Sequence, residues 1–256
     1  MAKVIAPFKI VGTLDDHVFY ISGDGNFVRE KGTPGVTKEQ FKAYPVFDRI
    51  RQQSTEFGSC VVQSHVFRLL FKQFYDRAKE VSFAGRVNQL LFDILKEDQE
   101  NPIGTRQIAS GLATKEGKEF LLGFEANILR TLPSVSKKSV VFDWSTNEVI
   151  LKNFDFEKDL KWPEPEANQV HFQLAIANWN CVRNEFESHY SEELIFSRSA
   201  KRETLHLRVE PLNHSDLWMA FIYIGFSNRQ RNKTKMGHRR WNTASCIAYK
   251  CFVDSN

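Results

Sequence analysis

A chain of 256 residues, 42% hydrophobic and with 22 Phe, can bury a core without cross-links and is too apolar to stay disordered. Its formal charge of +4 permits contact with nucleic acid or an acidic surface without demanding it. Four cysteines, Cys60, Cys181, Cys246 and Cys251, form no C-x-x-C pair, which argues against a disulfide framework and a zinc site; no metal or cofactor is expected.

Residues 8 to 30 read as a β-hairpin. His17 to Ile21 leads into Ser22-Gly23-Asp24-Gly25-Asn26, a turn cluster, and Phe27-Val28-Arg29 returns. Lys31 to Gly35 reads as a loop. Thr37-Lys38-Glu39-Gln40 has the form of a capping box, and the helix it opens is short because Pro45 disfavours helix at Tyr44. Apolar residues at helical spacing predict one helix over 55–79 and another from Phe83 to Leu95, ending near Asn101-Pro102. A shorter helix is expected over 105–113, and 119–129 fits helix or strand equally.

Residues 131–139 look like a linker, after which the pattern turns to strands. Ser139 to Trp144 and Glu148 to Leu151 flank Ser145-Thr146-Asn147 as a hairpin. Val170 to Ile176 and Thr204 to Val209 alternate at period two, and the apolar run Leu217 to Phe226 reads as a buried strand. A last strand is expected from Thr243 to Val253, in which a regular pleat puts Cys246 and Cys251 on opposite faces. The expected fold is α+β: a hairpin and helical region over residues 1–133, then an antiparallel sandwich-like region over 138–256.

No stretch approaches the ~18 apolar residues of a membrane span, and Met1 to Phe8 carries no signal-like run. A cytoplasmic protein without membrane contact is the expectation. Walker A, G-x-G-x-x-G and G-x-S-x-G are all missing, and nothing in the sequence sets a His beside a nucleophile, so an enzyme is not expected.

Two clusters have chemical potential. Between Asp216 and Asp254 there is no acidic residue, and within that stretch stand Arg229, Arg231, Lys233, Lys235, Arg239 and Arg240, followed by Trp241. Cations beside an aromatic on a hairpin loop can neutralise phosphates and stack a base; they can equally grip an acidic partner or be a solvated turn. The second cluster is Arg49, Arg51 and Glu56. On an extended segment the two arginines share a face and can hold an anion; near a helix start they more readily pair with Glu56 or Asp48.

Gly12 to Asp16, Phe19-Tyr20, Asp24-Gly25, Val28 to Gly32, Phe47-x-Arg49-x-Arg51 and Glu56-Phe57-Gly58 together resemble a family of uncharacterised proteins from Bacteroidota. The resemblance is clearest over residues 8 to about 75; later it is one of layout. Where that family has Asn after the second Arg, this chain has Gln52 and Gln53. The resemblance implies a bacterial protein made in the cytoplasm and brings no active site.

The function expected is that of a structural or assembly protein working through self-association or a protein partner. Its early hairpin would add to a neighbour's sheet, with a phage-like or mobile-element particle as one setting. The alternative is a nucleic-acid-binding protein using the basic loop.

Overall fold

The computed structural model describes residues 2–6, 8–23, 25–32, 35–163, 167–211, 217–230 and 233–251, the last residue by its backbone alone. The chain divides into two compact units, Met1–Asp48 and Arg49–Asn256.

The first unit is a four-stranded antiparallel sheet in the order β1-β4-β3-β2, followed by helix α1. Its strands are β1 (Ala2–Lys3), β2 (Gly12–Leu14), β3 (His17–Ser22) and β4 (Gly25–Glu30), and α1 is Lys38–Ala43. The expected hairpin is β3–β4, in register from His17↔Glu30 to Ser22↔Gly25. Gly23 turns it at φ +58°, a left-handed conformation that costs glycine little; Asp24 lies outside the described residues. β2 adds a third strand by folding back at Asp15 to pair with His17–Phe19. The capping box forms: the Gln40 amide donates to Thr37 Oγ1 at 3.2 Å, and the Thr37 amide donates to Gln40 Oε1 at 2.9 Å. α1 stops at Ala43, with Tyr44 extended ahead of Pro45.

The second unit has three layers. Its helices are α2 (Asp48–Leu70, beginning on the last residue of the first unit), α3 (Lys72–Ala78), α4 (Phe83–Lys96), α5 (Ile108–Ala113), α6 (Lys115–Glu119) and α7 (Leu132–Val135). Its strands are β5 (Phe142–Asp143), β6 (Glu148–Phe154), β7 (Gln169–Asn180), β8 (Glu185–Tyr190), β9 (Leu194–Ser197), β10 (Glu203–Arg208), β11 (Leu217–Gln230), β12 (Lys233–Met236) and β13 (Thr243–Cys251). In the large sheet β11 lies between β7 and the pair β13 and β12, and β8 and β9 flank β7. A smaller sheet runs β10-β6-β5.

The pleat of β11 explains the layering. Leu217, Met219, Phe221 and Tyr223 enter one apolar cluster with Phe67, Phe71 and Leu91 of the helices. Trp218, Ala220, Ile222, Ile224 and Phe226 enter a second with Val149 and Leu151 of β6 and Leu205 and Leu207 of β10. A strand buried on both faces needs apolar residues at every position, which is why this run shows no alternation. The fold is α+β, with two antiparallel sheets packed face to face and helices over the far side of the larger one.

Several expectations change. The helix over 55–79 is two helices, broken at Phe71 (φ −125°, ψ 42°); Phe71 and Phe74, on either side of the restart, both stack on β11. The division at 133–138 falls inside the second unit, because helices and large sheet share one core. The segment 131–139 is no linker: Val135 is buried, and its carbonyl accepts from the Lys161 amide at 2.8 Å. Residues 119–129 are neither a helix nor a strand throughout: Glu119 ends α6, and 120–129 are a run of turns docked on β13. There the Gly123 amide donates to the Cys246 carbonyl and the Ala126 amide to the Ala244 carbonyl. β13 is not regular, since its register against β11 shifts between Ala220 and Phe221; the side chain of Cys251 lies outside the described residues. No helix among the described residues is long and apolar enough to cross a membrane.

Candidate functional site

The basic C-terminal stretch forms the β11–β12 hairpin and the turn after it. Register decides what its cations share. Lys233 pairs with Gln230 and Lys235 with Asn228, so these four side chains lie on one face, while Arg229 pairs with Thr234 on the other. On the first face lies a cleft of about 780 Å³ lined by Asn228, Gln230, Lys233, Lys235, Met236, Gly237, His238, Arg240 and Trp241. Among the described residues no carboxylate lines it. Arg229 instead borders a separate depression with Ser197, Arg198 and Ser199. Arg239 borders a third, with Arg68, Lys79 and Glu80. The expectation of one patch of six cations is therefore corrected: a pleated hairpin deals its side chains to two faces. Arg231 lies outside the described residues.

The turn beneath the cleft is fixed from several sides. The Trp241 amide donates to the His238 carbonyl at 2.9 Å, and the Arg240 amide to His238 Nδ1 at 3.2 Å. Asn127 Nδ2 donates to the carbonyls of Arg240 (3.2 Å) and Asn242 (3.0 Å), and Arg130 Nε to that of Trp241 (2.9 Å). A β-carbon on Gly237 would lie 2.6 Å from the Trp241 ring and 2.5 Å from the Phe226 carbonyl, so only glycine fits there. Trp241 is half-buried against the inter-sheet core, and the Arg240 guanidinium sits 5.9 Å from its ring centre.

Arg49, Arg51 and Glu56 do not form the expected site. All three lie on α2, where residues two apart face different directions. Glu56 is buried and turned to the 104–106 loop: Arg106 Nη2 and Nε donate to its two oxygens at 2.7 and 2.9 Å, and the Gly104 amide donates at 2.7 Å. Arg106, fifty residues away, thus takes the place expected of the nearer arginines; Arg49 is exposed.

The first unit presents a different kind of surface. Among its described residues no apolar side chain is buried; Ile5 is 95% exposed, Val11 67% and Leu14 66%. Both sheet faces carry apolar residues. By register Leu14, Phe19, Ile21 and Val28 share one face, and Val18, Tyr20 and Phe27 the other. Asn26 is buried, and neither its Oδ1 nor its Nδ2 has a hydrogen-bond partner. β2 begins opposite Phe19, so β3 runs three residues past it.

No family model, curated protein or solved structure matches the chain.

A constellation that sequence reading missed lies between the neighbouring antiparallel strands β7 and β11. His171 Nε2 is 2.7 Å from Ser227 Oγ, and its Nδ1 is 3.2 Å from Glu193 Oε1. Glu193 is ion-paired with Arg77, whose guanidinium lies 4.2 Å from the centre of the Tyr223 ring. A histidine does stand beside a hydroxyl, contrary to expectation, because register joins positions fifty-six apart. Ser227 is fully buried, so no substrate reaches its oxygen, and its hydrogen bond with His171 ties β11 to β7. Burial lowers the His171 pKa below its usual 6.5 and Arg77 adds to this, against an opposing effect of Glu193. The unfolded chain then binds the proton first as pH falls, so stability drops below about pH 6.5. His171→Gln should flatten that slope in urea midpoints taken from pH 7 to pH 5; an unchanged slope would assign it to other groups. Among the described residues no three His, Cys, Asp or Glu side chains converge as a metal would require.

Proposed function

We propose that this chain is a non-enzymatic assembly protein that binds a second copy of itself through its first unit. The observation that carries the reading is the apolar sheet without a single buried apolar side chain. A unit this small needs a core, a metal, cross-links or association to stand, and none of the first three is found among its described residues. Association with a like copy fits the charge. Met1 to Asp48 holds six Lys or Arg and six Asp or Glu, so two such units do not repel, and the rest of the chain carries the +4. It also fits the edges, where short outer strands leave longer inner ones projecting beyond them for a neighbour to extend.

The test is the pair of substitutions Leu14→Asp and Ile21→Asp, on one sheet face. The wild-type chain should run as a defined oligomer in light scattering after size exclusion, and the variant as a monomer with unchanged far-ultraviolet circular dichroism. A variant that keeps the wild-type mass removes this face from the assembly.

A further inference from the structure

We propose that the cleft between the β11–β12 hairpin and the turn His238–Trp241 binds single-stranded nucleic acid, with Lys233, Lys235 and Arg240 on phosphates and a base against Trp241. Three observations converge on it. The first is charge. Lys233, Lys235 and Arg240 converge on one cleft, and among the described residues no carboxylate lines it and no ion pair holds any of them. Cations left unpaired around a concavity are an electrostatic sink for a polyanion.

The second is the aromatic. Trp241 is a large ring in a polar, cationic loop, held at its backbone by His238 and Arg130 and seated against a glycine. Its half-buried ring therefore has one place to be, and the ordering entropy of a stacking platform has been spent in folding. An acidic peptide would use the cations but gives the ring no role. A duplex gives it none either, because its bases are already stacked; an unpaired base is the ligand that uses both.

The third is size and rim chemistry. About 780 Å³ lies in the range of small-ligand sites and holds a nucleotide or two with the backbone passing through. Asn228 and Gln230 put amide donors and acceptors on the same face as the two lysines. β12 ends the strand order, so the cleft lies at the rim of the sheet, where a strand of nucleic acid can continue past it.

The measurement is fluorescence anisotropy of a labelled oligothymidylate of about 15 nucleotides with the full chain, across a salt series. Binding should weaken with salt at a log–log slope of about −2, from three cations at roughly 0.7 each on a single strand. Lys233→Gln, Lys235→Gln and Arg240→Gln together should weaken it by about tenfold or more. Trp241→Ala should weaken oligothymidylate roughly tenfold and leave heparin binding unchanged, while Trp241→Phe keeps most of the affinity. Four results overturn the proposal: no binding at low salt, an unaltered triple variant, equal loss of heparin and oligonucleotide in Trp241→Ala, or thymidine monophosphate matching the oligonucleotide. The last would make the cleft a free-nucleotide site. Leu14→Asp/Ile21→Asp should bind the oligonucleotide as the wild type does, which separates this proposal from the assembly reading.

Discussion

Glu56→Ala is expected to cost about 3–5 kcal/mol of folding stability, more than any surface charge in the molecule. The Glu56 side chain is 1% exposed and its partner Arg106 14%, so solvent screens the pair little. Removing the carboxylate takes away the acceptor of the mostly buried Arg106 guanidinium and of the Gly104 amide. Gly104 is also needed as glycine: its φ is +103°, and a β-carbon there would meet the Gln52 side chain at 2.8 Å. The carboxylate therefore anchors the Gly104 loop to α2 as well as closing an ion pair. Replacing both partners together, Glu56→Leu with Arg106→Met, should cost much less, because no lone buried charge remains. Urea midpoints of the three variants measure this, and a double variant as unstable as Glu56→Ala would show that the loop needs the ion pair itself. The pH dependence has a definite sign. The Arg106 guanidinium above all, with the Gly104 amide, holds the Glu56 pKa below its usual 4.5 against the opposing effect of burial. The pair's contribution is thus complete above about pH 4.5 and fades as pH falls through the lowered value.

Phe221→Ala should cost about 3–5 kcal/mol, and Phe71→Ala a similar amount. Their rings stack at 4.1 Å between centres and 27° between planes, and both residues are fully buried. Each truncation leaves a cavity where the helices meet the large sheet, bounded on the helix side by Tyr75, whose ring meets both. Loss at one ring already removes the stacking energy, so the double variant should fall short of the sum by about 0.5–1.5 kcal/mol. Additive losses in thermal or urea unfolding would mean that the rings pack independently. Phe71 also sits at the break between α2 and α3, so its truncation should loosen that junction selectively in hydrogen exchange.

Local signals in the sequence translated well where the physics is local. The Thr37–Gln40 box, the β3–β4 hairpin, the α4 periodicity and the apolar β11 run all depend on neighbours within a few residues. What escaped is long-range. Arg106 replaces Arg49 and Arg51 at Glu56 because α2 starts at Asp48 and aims that carboxylate at a loop fifty residues on. His171 meets Ser227 only once β7 and β11 are in register. β8 carries charged and polar residues in an order no period-two pattern distinguishes from loop, and β9, Leu194 to Ser197, is too short to show a period. The basic stretch was visible as charge, but its division between two faces depends on the register Gln230↔Lys233 between β11 and β12, which the order of residues alone does not give. The boundary near residue 48 left no compositional mark, since an exposed apolar sheet and a buried one are written in the same residues.

The most direct test of the assembly reading is light scattering of the full wild-type chain after size exclusion, over a tenfold or wider concentration range and free of nucleic acid. A closed oligomer whose mass holds at high concentration, and falls to monomer on dilution or on Leu14→Asp/Ile21→Asp, is the predicted result. A chain that stays monomeric at every concentration would contradict it, and would leave the exposed apolar sheet of the first unit to some other partner.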